Sequence, residues 1–86
     1  MKRNVMLIYL RNRKDVAEKV QKILTGWGCL IKTRLGIHDD VLDNCTDTGL
    51  IFLELVGDTE KHRELKHKLE LLKDVDVQLV ELKLEN

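Results

Sequence analysis

A two-layer α+β sandwich, with one four-stranded antiparallel sheet carrying two helices on one face, is the architecture this sequence predicts. Three observations lead there. Strand-like and helix-like runs follow one another in the order β-α-β-β-α-β, the 86 residues leave room for a single core, and no proline interrupts any element. The expectation is one domain spanning residues 1–86.

The elements follow in chain order. Val5 to Leu10 is an unbroken apolar run, long enough for a strand and too short for a helix. Asn12, with Asp15 three residues on, has the pattern of a helix N-cap. Val16, Val20, Ile23, Leu24 and Trp27 then recur at helical spacing, with Lys14, Glu18, Lys19 and Lys22 on the other side. Gly26 and Gly28 bracket the helix end, where a positive φ is commonly needed. Cys29 to Ile37 reads as the second strand, with Ile31, Thr33, Leu35 and Ile37 on one face and Lys32 and Arg34 on the other. His38 to Thr48 is a polar, acidic loop.

Gly49 to Val56 is the third strand, closed by Gly57. Asp58 caps the next helix, Glu60 suits its positive end, and Leu65, Leu69 and Leu72 form the buried stripe with Leu71 at the margin. Val75 to Leu84 closes the fold, and its alternation changes phase between Leu79 and Val80, which predicts a bulge or a strand that leaves the sheet there. This is the split βαβ, or ferredoxin-like, arrangement, in which right-handed crossovers put both helices on one sheet face.

Hydrophobic residues make up 43% of the chain and aromatic ones only 3%, so the core must be built from Leu, Ile and Val. Two cysteines, Cys29 and Cys45, are too few for a disulfide framework and form no C-x-x-C pair. With no secretory apolar segment, a reducing cytoplasmic compartment and no membrane association are expected. Fifteen basic residues balance fifteen acidic ones, which argues against direct DNA binding.

The feature with functional weight is the first and third strands. An antiparallel strand covered on one side should alternate, yet Val5, Leu7 and Tyr9 oppose Met6, Ile8 and Leu10, and Leu50, Phe52 and Glu54 oppose Ile51, Leu53 and Leu55. Four or five large aliphatics left in water would forgo roughly 1.5–3 kcal/mol each, a sum that rivals a whole domain's stability. A second copy of the sheet is the expected cover, making the chain a homo-oligomer, dimer or tetramer. Leu7 and Leu53 are the candidate interface residues, one for each face; whichever points away from the helices would carry the contact.

Chemical motifs are sparse. His62 and His67 stand five apart, not the four a helical metal pair needs, and are expected to be solvated or half-buried. Asp43, Asp47 and Glu54 fall at calcium-loop spacing, but Cys45 and Thr48 occupy a ligand and the glycine position. His38, Asp39, Asp40, Asp43, Cys45 and Asp47 share one loop; His38 and Cys45 are its candidate metal ligands, with a hydrated acidic turn as the competing reading. There are no paired catalytic carboxylates, no G-x-S-x-G elbow and no phosphate-binding glycine loop, so the chain is not expected to be an enzyme. No cofactor can be named.

The segments Val5-Met-Leu-Ile-Tyr-Leu-Arg-Asn-Arg-Lys-Asp, Thr33-Arg-Leu-Gly-Ile-His and Gly49-Leu-Ile-Phe-Leu-Glu-Leu, with the helix from Asp58 to Leu72 and the closing Val75-Asp-Val, resemble the iron-only hydrogenase system regulators. These are small ACT-like proteins, and the resemblance covers nearly the whole chain. It implies association through sheets and helices, and an effector site near the first strand–helix turn, here Arg11, Asn12 and Arg13. The chain is also similar, more distantly, to the nickel-sensing C-terminal domain of the nickel-responsive repressor. Where that domain has a His-x-His pair this chain has Gly36-Ile37-His38; Cys45 lies one residue beyond the expected cysteine, and Thr25 stands at the first-helix ligand. Tight nickel binding is therefore not expected.

The resulting expectation is a small oligomeric ligand-sensing regulatory module of the iron-only hydrogenase system, acting through a protein partner and a small-molecule effector. A metal-binding protein using the loop after the second strand, or a purely structural assembly protein, is the alternative.

Overall fold

The computed structural model describes residues 1–11, 14–38 and 48–85. Strand β1 spans Lys2–Arg11, helix α1 Lys14–Gly26, strand β2 Ile31–His38, strand β3 Thr48–Leu55, helix α2 Thr59–Glu70 and strand β4 Val75–Lys83. The order is βαββαβ, and the four strands form one antiparallel sheet in the order β2-β3-β1-β4. The α+β ferredoxin-like class read from the sequence is the observed one. Among the described residues no helix is long and apolar enough to cross a membrane.

The core lies between sheet and helices. Met6, Ile8 and Leu10 of β1, Ile51, Leu53 and Leu55 of β3 and Val77 of β4 meet Val16, Val20 and Leu24 of α1 and Leu65 and Leu69 of α2. Leu53 is 0% exposed, so of the two interface candidates it belongs to the helix-covered face and carries no contact with a partner. Leu7 is paired with Phe52 and Gln78 on the opposite face. Alternation could show that both faces were apolar, but only the seating of the helices decides which is covered.

Local chemistry accounts for the helix ends. Asp58 Oδ1 accepts from the Glu60 amide at 3.0 Å, capping α2 as its sequence predicts. Gly26 and Gly28 do not supply a left-handed residue. The chain instead leaves α1 through Trp27 into a 3-10 turn at Gly28–Leu30, which takes up the start of the predicted second strand. Positive φ falls at Gly57 (88°) and Asp74 (64°) among the described residues. Both occupy connections flanking α2, where the chain must turn sharply between helix and strand.

Two further corrections concern the sheet. β4 pairs with β1 in unbroken register from Val75 to Lys83, so there is no bulge at Leu79–Val80. The change of phase reports a change of face: Val77 and Leu79 pack toward the helices, Val80 and Leu82 lie on the open side. The extra residue is in β2 instead. Ile31 pairs with Leu55 and Thr33 with Glu54, leaving Lys32 as the inserted residue of a bulge. Ile31 accordingly packs against the core while Thr33, Leu35 and Ile37 lie on the open face, splitting a set that simple alternation joins.

His62 is also unlike its expectation. It is 0% exposed, the one buried polar residue among those described, whereas His67 is exposed.

Candidate functional site

Two regions of the open side carry chemistry. The first is the C-terminal end of β1. Arg11 pairs with Thr48 at the start of β3, and its backbone N–H donates to the Asp74 carbonyl at 3.1 Å. That bond is possible because Asp74 takes a left-handed conformation, which Asp tolerates better than most residues, and so brings the α2–β4 turn against β1. The result is a cleft of about 530 Å³ walled by Tyr9, Arg11, Thr48, Asp74 and Asp76. Asp74 also borders a smaller hollow of about 260 Å³, lined by Asp15, Lys19 and Lys73. The residues that wall it carry a guanidinium, two carboxylates, a phenol and a hydroxyl, donors and acceptors of both signs.

Of the residues the sequence singled out for ligand binding, Arg11 lines this cleft, while Asn12 and Arg13 lie outside the described residues. His38 is the last residue of β2, and Cys45, with the acidic residues between, also lies outside them. Sequence reasoning missed Tyr9, Thr48, Asp74 and Asp76. The polar pair Lys73-Asp74 between Leu72 and Val75 is a turn signal, but only strand pairing places that turn beside Arg11.

The second region is at the other end of the sheet. Arg3 holds Glu54 with two parallel bonds, Nε to Oε2 at 2.6 Å and Nη2 to Oε1 at 2.7 Å. The Glu54 side chain is 12% exposed and that of Arg3 65%. These bonds hold the Glu54 carboxyl below the usual carboxylate range; partial desolvation opposes them, and the charges of Arg3 and then Lys32 add to them. Arg3 is correspondingly raised, chiefly by its bonds to Glu54. The β2 bulge brings Lys32 to this pair, at the border of a hollow of about 850 Å³ shared with Arg3, Leu82 and Leu84.

Between these ends the open face is apolar. Leu7, Leu50 and Phe52 are half-buried, and Tyr9 (50%), Leu35 (54%), Ile37, Val80 and Leu82 are exposed.

No protein-family model matches the chain, and neither does any curated protein. Solved structures do resemble it. An uncharacterised protein from Thermotoga maritima superposes with a TM-score of 0.82 at 27% identity, over 96% of this chain and 100% of the other. The ACT domain from the GTP pyrophosphokinase of Chlorobium tepidum gives 0.66 at 15% identity, over 93% and 97%. CPII, a nitrogen regulatory PII-like protein from Thiomonas intermedia bound to ADP, AMP and bicarbonate, gives 0.65 at 10% identity, over 100% and 93%. The fold is therefore ACT-like.

Proposed function

We propose that this chain is a small oligomeric regulatory module that senses a small-molecule effector and passes its state to a protein partner, without catalysis and without binding DNA directly. The observation that carries the reading is the cleft at the end of β1, where Arg11 stands with Thr48, Asp74 and Asp76 in a pocket large enough for a metabolite. An ACT domain and a nucleotide-bound PII-like regulator share its fold, which supports a sensing role. The cleft carries both signs of charge, so a zwitterion of the amino-acid class suits it better than a polyphosphate.

Oligomerisation belongs to the same proposal. The open face exposes a continuous apolar surface that a second copy would cover. The cytoplasm is the proposed compartment, and the iron-only hydrogenase system the proposed setting; the latter rests on the sequence resemblance alone.

Thermal-shift measurement against a panel of amino acids and nucleotides tests the sensing role. A specific effector raises the melting temperature progressively with concentration, and Arg11→Ala abolishes the rise. Silence across the panel, or a rise that Arg11→Ala leaves intact, contradicts the assignment of this cleft.

A further inference from the structure

The register arranges the open face in rows. Leu35, Phe52, Leu7 and Gln78 form the central row; Ile37, Leu50, Tyr9 and Asp76 form the row toward the end of β1. Thr33, Glu54, Val5 and Val80 form the row toward its start, with Arg3 and Leu82 beyond. The apolar residues therefore run diagonally, from Leu82 on one edge strand through Leu7 to Ile37 on the other. Charge occupies the two remaining corners. One holds Lys32 and the Arg3–Glu54 pair, with an excess of one positive charge; the other holds Asp74 and Asp76 with Arg11, with an excess of one negative charge.

We infer that a second copy docks on this face about a two-fold axis running along the diagonal stripe, so that the Arg3–Lys32 corner of each copy lies over the Asp76 corner of the other. The inference rests on the reading above that a copy of the chain covers the face. Two in-plane axes keep stripe on stripe: one along it and one across it. The axis across the stripe returns each charged corner to its own counterpart, setting Lys32 near its symmetry mate. The axis along the stripe exchanges the corners, and opposite charges meet twice, as an isologous interface requires. Any other in-plane axis sets leucines against charged corners.

Ideal strand spacing makes the stripe run roughly 14 Å across the sheet and roughly 20 Å along it, so the strands of the two copies cross at about 70°. The face offers roughly 500 Å² in plan on each copy, near the ~1,000 Å² total a specific contact needs. Asp76 also walls the Arg11 cleft. The partner's Lys32 and the partner's Arg3 consequently stand over that cleft, and the effector site lies at the boundary between subunits.

Sedimentation analysis of the full chain as Lys32→Glu, Asp76→Lys and the double variant tests the axis. Each single reversal should weaken the dimer at least tenfold, and the double variant should return it to within about threefold of the wild type. Both positions are exposed, so circular dichroism should not change. Independently of any variant, raising salt from about 0.05 to about 0.5 M should weaken the wild-type dimer severalfold. A wild-type dimer indifferent to both reversals, or one that tightens in Lys32→Glu, overturns the axis while leaving the covered face standing. A wild type that is monomeric at every concentration overturns the covered face itself.

Discussion

The imidazole of His62 donates from Nε2 to the carbonyl of Val56 at 2.7 Å, tying the first turn of α2 back to the residue that leaves β3. A carbonyl only accepts, so the bond places a proton on Nε2. Nδ1 is buried and has no hydrogen-bond partner among the described residues. His62 thus fills core volume and holds the β3–α2 connection with one bond. His62→Ala removes both at once and should lower stability by about 3 kcal/mol, read as a lower urea midpoint. A midpoint within experimental error of the wild type would show that the connection is held by the Asp58 cap alone.

The Arg3–Glu54 pair makes stability depend on pH in acid. Glu54 holds its proton less tightly when folded than when unfolded, because Arg3 bonds its charged form. As pH falls, the unfolded chain takes up this proton first, which favours unfolding. The contribution is present above the ordinary carboxylate range and is lost as pH drops through the lowered folded value. Glu54→Gln should lower the melting temperature modestly at neutral pH, where the pair contributes, and flatten this part of the acid limb so that the two chains converge as pH falls. Melting temperatures of both chains from about pH 7 down to about pH 3 provide the check.

How far the sequence could be read depended on range. The strand and helix runs, the Asp58 cap and the Leu65–Leu69 stripe are set by residues a few positions apart, and all are found. Apart from the 3-10 turn at Gly28–Leu30, the errors involve contacts made outside the element itself. His62 is polar and lies among charged neighbours on α2, so nothing local marks it as buried; its partner Val56 belongs to the preceding connection. The β2 bulge is invisible in a strand whose two faces both carry mixed residues, and it becomes definite only when β3 provides the register. Arg11 was singled out through the family resemblance, which implies an effector site at the first strand–helix turn, and it lines the cleft. Asp74 and Asp76 were not singled out, because they reach the cleft from across the sheet.

Gly57 is a position where glycine is required. Its φ is 88°, and a Cβ built there would stand 2.9 Å from Leu30 Cδ2. Gly57→Ala therefore meets both backbone strain and a side-chain clash, and should cost about 1–3 kcal/mol. At Gly36 a Cβ meets nothing within 4 Å, so Gly36→Ala should be nearly neutral or mildly stabilising. The difference between the two melting temperatures isolates the geometry from the loss of glycine as such.

Leu7 and Leu53 offer the sharpest separation of folding from assembly. They lie on adjacent strands, β1 and β3, at neighbouring register positions, yet on opposite faces of the sheet. Leu53 is sealed beneath the helices, so Leu53→Lys places an ammonium in the core without a partner and should unfold the chain, costing more than about 4 kcal/mol. Leu7 is only half-buried in the single subunit, and a lysine there can extend its head to water along the open face. Leu7→Lys should keep the native circular dichroism and a cooperative melt while shifting light scattering toward a 10.0 kDa monomer. If Leu7→Lys remains fully associated, the open face is not the interface. If it unfolds like Leu53→Lys, the subunit has no stability apart from its partner, and folding and association should then share one concentration-dependent transition.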